Sequence, residues 1–274
     1  MIKKTFRSIA PLVFAMLAWS VNAQTYRPIA GFSAETNRKL ESFLNSTRTM
    51  KERKVAVFDC DGTLLDTMHT WRDVEDELAR RAGGVLTKRD TDKLTTLTIP
   101  EAGEYLHELF GLGEDGPHVV RMIDELMLEH YRTQAHERPG ALAFVQGLAE
   151  RGVAMSVASS GPQAYLQAGL EHAGFMPYLQ AVVSVNDVGA SKREPAVYHR
   201  ARALMGTPLA ATWGFEDSSY ALRTLRAAGY RSVGVYDCDL AGTFDDLQAT
   251  ADIAVRGFDE LTAEDFLAKT QLIA

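Results

Sequence analysis

Asp59 and Asp61 stand two residues apart at the end of a short apolar run, Val55-Ala56-Val57-Phe58, and Gly62 follows at once. Acids at the carboxyl end of a buried parallel strand lie in the crevice where open α/β sheets bind ligands. Gly62 lets the chain turn sharply there and brings backbone N–H groups close to whatever the aspartates hold. Three more polar sets follow along the chain: Ser159 with Ser160, then Lys192, then Glu216 with Asp217. Each alone has an ordinary explanation. A serine after a strand caps a helix, a loop lysine is solvated, and an acidic pair before a helix offsets its dipole.

These residues depend on the elements that carry them. The run 55–58 is too short for a helix and reads as a strand buried on both faces. From Pro139 onward helix and strand patterns alternate, which implies a parallel sheet. Strands are expected at 153–158, 181–185, 211–215, 232–236 and 252–255, and helices at 141–150, 162–172, after Pro195 and at 218–229. Right-handed crossovers place every strand end on one edge, so all four polar sets meet there. Between about 66 and 137 no strand-like alternation occurs. Trp71, Val74 and Leu78 have helical spacing, with Trp71 expected in the core of its helix. Glu104, Tyr105, Leu106, Leu109 and Phe110 mark another helix. Pro117 suits a first helical turn ahead of Val119, Ile123 and Leu126.

Taken in order, the four sets resemble the four motifs of the haloacid dehalogenase superfamily. Asp59-Cys60-Asp61-Gly62-Thr63 is similar to its DxDGT, and Val157-Ala158-Ser159-Ser160 to its second motif. Lys192-Arg193-Glu194-Pro195-Ala196-Val197-Tyr198 is similar to K-P-x-P-x-x-F/Y, departing at Arg193-Glu194. Gly214-Phe215-Glu216-Asp217-Ser218 is similar to G-x-E-D-S. The resemblance covers residues from about 54 to 268. It points to the subgroup with a helical C1 cap, which contains phosphoglycolate phosphatase and beta-phosphoglucomutase. The implied fold is α/β: a Rossmann-like parallel sheet core, 24–66 and 138–274, with an inserted α-helical cap over 67–137. The cap would close as a body on hinges near 66–70 and 133–138. His69, Trp71, Lys88, Arg89, Thr98 and Glu101 are its candidates for substrate choice, though a packing or surface role is the commoner one for such residues.

The resemblance also implies a division of labour. A phosphate ester resists water, and a covalent aspartyl-phosphate splits the reaction into easier steps. Asp59 would be the nucleophile. Mg²⁺ would be held by Asp59, Asp217, the backbone carbonyl of Asp61, and Glu216 directly or through water, since hard oxygen donors suit it. The Asp61 side chain would then protonate the leaving oxygen and later activate water. Ser159, Ser160 and Lys192 would bind the phosphoryl group. Carbon–halogen hydrolases of the resembled family lack the acid at position 61, and phosphonate hydrolases place a small apolar residue there, so Asp61 favours phosphoryl transfer. The expected function is a Mg²⁺-dependent phosphatase of a small phosphorylated metabolite. A phosphomutase is one alternative, and a catalytically silent binding protein on the same fold is another.

The chain has 274 residues, 46% hydrophobic and 24% charged, with a net charge of −7. That size accommodates a full core and an inserted module. The negative charge argues against nucleic acid as a partner. At the N-terminus, Lys3, Lys4 and Arg7 precede an apolar stretch from Ile9 to Val21, and Val21-Asn22-Ala23 offers a small-x-small cleavage site. Residues 1–23 therefore read as a signal peptide, with Gln24 starting the mature chain. The stretch is short for a membrane span. A periplasmic protein without stable membrane association is expected. Residues 24–50 suggest an extension with a helix capped by Ser33 and an apolar face at Leu40, Phe43 and Leu44.

An oxidising compartment would favour a disulfide between the two cysteines, Cys60 and Cys238. In the resembled fold the strand 211–215 lies between them. Two strand spacings make roughly 10 Å, beyond the limit of about 7 Å between bridged Cα atoms. Two thiols are expected.

Overall fold

Strand β1 (Val55–Phe58) lies inside a six-stranded parallel sheet, flanked by β2 (Ala154–Ser159) and β4 (Thr212–Glu216). Beyond β2 lies β3 (Ala181–Ser184), and beyond β4 lie β5 (Arg231–Val235) and β6 (Ile253–Val255), so the order is β3-β2-β1-β4-β5-β6. After β1 the chain adds strands outward on one side, then crosses to the other at β4. That change of direction opens a crevice at the carboxyl ends of β1 and β4. Phe58 is level with Val157 and with Phe215. Asp59 and Glu216 are the next residues and Ser159 is two past Val157, so all three reach the same edge.

The computed structural model describes residues 54–94, 97–239 and 241–272, with Glu35 and Arg38 before them. The chain divides into units Met1–Glu52 and Arg53–Ala274, and the fold set out here is that of the second. The signal peptide and the helix with Leu40, Phe43 and Leu44 lie outside the described residues. No helix among the described residues is long and apolar enough to cross a membrane.

Side chains of β1 alternate between two cores, as the period of a strand requires. Ala56 and Phe58 join one cluster, Val55 and Val57 the other. On the first side Phe58 stacks on Phe215 with centroids 4.5 Å apart, against Phe144 of α5 (Ala141–Glu150). On the second side the valines meet α7 (Ala196–Met205) and α8 (Ser219–Ala227). Burying each large apolar side chain contributes about 1.5–3 kcal/mol. Two layers of helices thus clamp the strand that carries the aspartates.

Among the described residues, four helices lie between β1 and α5: α1 (Thr70–Arg81), α2 (Lys88–Leu94), α3 (Ile99–Phe110) and α4 (Gly116–Thr133). Pro117 does sit in the first turn of α4, behind an Asp115 N-cap that accepts from the His118 N–H at 2.7 Å. Thr98 and Glu101 form a capping box for α3, and Lys88 pairs with Asp92 along α2 at 2.8 Å, so these three have local structural work. The two connectors to the sheet pair with each other. The Asp66 N–H donates to the His136 carbonyl at 3.0 Å and the Arg138 N–H to the Leu64 carbonyl at 2.8 Å.

Trp71 departs from expectation: it is exposed. The buried stripe of α1 runs Thr70, Val74, Leu78, which leaves Trp71 a residue off the stripe. Thr70 is seated there because its hydroxyl finds His130 Nε2 at 2.9 Å. Past the sheet's fourth strand, α9 (Phe244–Thr250) and α10 (Ala263–Leu272) were not read from sequence. Between β2 and α7 lies α6 (Gln163–His172). Cys60 and Cys238 are both thiols, with β4 between their strands.

Candidate active site

Asp59 follows β1 directly, its N–H held by the Phe215 carbonyl of β4 at 2.8 Å. The chain then coils into a tight loop: the Gly62 N–H donates to the Leu65 carbonyl at 2.8 Å, and Leu64 N–H to the Cys60 carbonyl at 2.8 Å. Gly62 has φ +80°, and a Cβ there would lie 2.5 Å from Asp217 Oδ2. A glycine is needed on both counts, the left-handed backbone and the close approach of an acid.

Lys192 joins the strand ends. Its ammonium donates to Asp59 Oδ1 and, at 2.7 Å, to Glu216 Oε1. Tyr198 in the first turn of α7 donates its hydroxyl to the same Glu216 oxygen at 2.6 Å. Among the described residues, Glu216 Oε2 has only the Ser218 hydroxyl, at 3.4 Å. Asp59, Glu216 and Asp217 present carboxylate oxygens within 4.8 Å of one another, and all three side chains are buried. Three buried acids against one buried lysine leave excess negative charge. Burial raises the Glu216 carboxyl to about 7 despite Lys192. Burial, with Asp59 and Glu216 adding, puts Asp217 well above the usual carboxylate range. Burial opposes the Lys192 charge, but Asp59 and Glu216 outweigh it and hold the ammonium above its usual range.

An all-oxygen, strongly anionic donor set fits a hard divalent cation. Asp59, Asp217 and the less engaged oxygen of Glu216 are the side chains that could hold it.

Asp61 is kept apart from this cluster. Its Oδ1 accepts from the Thr67 hydroxyl at 2.6 Å and from the Tyr131 hydroxyl of α4 at 2.5 Å. Burial, then the Asp59 charge, raises its carboxyl. A Cβ built on Gly161 would lie 3.2 Å from Asp61 Oδ2, so that oxygen faces the turn after β2. Ser159 is buried in that turn and its Oγ accepts from the Gly161 N–H at 3.1 Å, which leaves its proton for another acceptor. Ser160 is exposed in the same turn.

The structure thus gathers Asp59, Lys192, Glu216 and Asp217 into one contact group. Asp61 and Ser159 border it. Tyr131 and the half-buried pair of Arg138 with Asp237 escaped the sequence reading. Arg138 sits on the second connector and also donates to the Tyr236 carbonyl at 2.7 Å, tying that connector to the end of β5. Tyr131 did carry a signal, because it continues the buried stripe Val119, Ile123, Met127 of α4.

Residues 53–229 match the family model of haloacid dehalogenase-like hydrolases. Among curated proteins, a validoxylamine A 7'-phosphate phosphatase from Streptomyces hygroscopicus subsp. limoneus is 28% identical over 193 residues, 66% of this chain and 85% of that protein. A phosphoglycolate phosphatase from Rhodobacter capsulatus is 25% identical over 63% of this chain and 80% of that protein. Among solved structures, beta-phosphoglucomutase from Clostridium difficile superposes with a TM-score of 0.61 at 16% identity, covering 81% of this chain and 98% of that one. The last is a likeness of fold.

Proposed function

We propose that this chain, which belongs to the haloacid dehalogenase-like hydrolase family, is a phosphatase that cleaves a small phosphorylated metabolite through an aspartyl-phosphate on Asp59. Relatives named as phosphatases of phosphorylated small molecules support the substrate class. The observation that carries the reading is the separation of two neighbouring aspartates. Asp59 is tied to Lys192 and the acidic group, while Asp61 is held aside by Thr67 and Tyr131. One carboxylate is placed to attack, the other to move a proton.

In the first step an Asp59 oxygen forms a bond to phosphorus and the ester P–O bond breaks. The electron pair stays on the leaving oxygen, which takes a proton from Asp61. In the second, water attacks the phosphorus, Asp61 takes a proton from it, and inorganic phosphate leaves as Asp59 is restored. Lys192 and the Ser159 hydroxyl are the donors for charge on the phosphoryl oxygens. Mg²⁺ is the cation proposed for Asp59, Glu216 and Asp217; bound there, it supplies positive charge that offsets the repulsion between carboxylate and phosphate. Helices α1 to α4 are proposed as a cap over 67–137, hinged at the paired connectors.

Phosphate release from a panel of sugar, nucleotide and acid phosphates, with Mg²⁺ present, tests the reading. Release is expected from at least one ester and none from D59N. Isomerised sugar phosphate without free phosphate would favour a mutase, and no turnover of any ester would favour a binding protein. Export to the periplasm is proposed on the basic, apolar and small-residue order of residues 1–23. N-terminal sequencing of fractionated cells should find the mature protein beginning near Gln24.

A further inference from the structure

Tyr131 lies near the end of α4, seventy residues from Asp61, and its ring is buried. Its seat is built by α6. A Cβ on Gly169, in the middle of that helix, would lie 2.7 Å from Tyr131 Cδ1 and 2.8 Å from Leu65 Cδ1. Glycine inside a helix costs about 1 kcal/mol relative to alanine, and here it makes room for the tyrosine. The ring also stacks on Tyr165 of α6 with centroids 5.3 Å apart. Tyr165 in turn donates its hydroxyl to Asp124 of α4 at 2.6 Å. Residues of α6 therefore seat the ring, and its hydroxyl donates to Asp61 Oδ1.

That atom already accepts from Thr67. With two donors loaded on Oδ1, a proton carried by Asp61 has its place on Oδ2, the oxygen facing the turn after β2. We propose that Tyr131 is a positioning residue for the acid step: together with Thr67 it fixes Oδ1 of Asp61 and reserves Oδ2 for the proton passed to the leaving oxygen. The inference rests on the reading of Asp61 as the general acid. The proton leaves Oδ2 as the ester P–O bond breaks, the leaving oxygen keeps the bonding pair and gains that proton, and Asp61 is left a carboxylate still held by its two donors. Tyr131 itself exchanges no proton.

The test is the dependence of kcat/KM on the leaving group, across ethyl, phenyl and 4-nitrophenyl phosphate with Mg²⁺. This ratio reports only steps up to departure of the alcohol, so later hydrolysis of the aspartyl-phosphate does not mask the effect. Y131F keeps the ring and loses the hydroxyl. It should lower kcat/KM about ten-fold on ethyl phosphate, less than the roughly 10²-fold that a 1 Å misplacement can cost, and leave 4-nitrophenyl phosphate within two-fold. G169A, which pushes the ring from its seat, should give the same pattern and serves if Y131F does not fold. D61N should show the pattern more strongly, losing about 10²-fold or more on ethyl phosphate. If D61N is steep and both Tyr131 and Gly169 variants run parallel to wild type, the positioning role is wrong and the acid reading stands. If D61N loses equally on all three esters, the acid reading falls and the role of Tyr131 falls with it.

Discussion

Tyr198 and Lys192 converge on one oxygen of Glu216, at 2.6 and 2.7 Å, and among the described residues the other oxygen has a single contact, at 3.4 Å. The carboxylate is thereby divided into a structural half and a half open to a cation. Y198F removes one of the two donors from a buried charged acceptor. We expect the variant to unfold in urea with a free energy lower by about 1–3 kcal/mol, while kcat changes by only a few fold. A loss of kcat as large as that of D59N would mean that Tyr198 acts on the chemistry itself.

Three buried carboxylates around one lysine should make the fold sensitive to divalent ions. Titrating Mg²⁺ into chelator-treated protein should raise Tm. At a hundred times Kd the gain is about 2.7 kcal/mol, or roughly 5–10 °C for a chain of this size. D217N should weaken the shift, because it removes one anionic donor from the group. A Tm indifferent to Mg²⁺ in wild type would argue against a metal centre there.

G62A should separate fold from site. The left-handed backbone costs a non-glycine residue about 1–2 kcal/mol, and the new methyl would lie 2.5 Å from Asp217 Oδ2. The expected outcome is native circular dichroism with the Mg²⁺-dependent Tm shift lost. A variant with both intact would show that Asp217 can move aside without consequence.

Glu75 on α1 gives a pH signature away from the site. Burial raises its carboxyl to about 7, against the pull of Arg72, whose Nε lies 3.8 Å away. Below its unfolded value of about 4.3 the group is protonated in both states and costs nothing. As pH rises toward 7 the unfolded chain releases its proton first, so folding becomes less favourable. E75Q should leave stability at pH 4 unchanged and raise it at pH 8. Equal effects at the two pH values would show that Glu75 ionises as freely in the fold as out of it.

Strand β1, the order of the polar sets and the helical stretch between β1 and β2 were legible in the sequence. The reason is local. Apolar runs of four or five residues ending in Asp, Ser or Glu report strands and their ends, and right-handed crossovers carry those ends to one edge. That logic places Asp59, Ser159, Glu216 and Asp217 together before any contact is known. Lys192 was legible only through the resemblance of residues 192–198 to the family's third motif.

Which atom each polar group meets was decided only by the tertiary structure. Tyr131 sits on a clean helical stripe with Val119, Ile123 and Met127, so its periodicity says core. Trp71 looked like core by the same spacing and is exposed, while Thr70 takes the buried position. The Tyr131–Asp61 bond spans seventy residues and the Arg138–Asp237 pair ninety-nine. Periodicity reports which face of an element is turned inward. It carries no record of the single polar atom on that face or of the distant acceptor it finds, because that choice is made by packing between elements far apart in the chain.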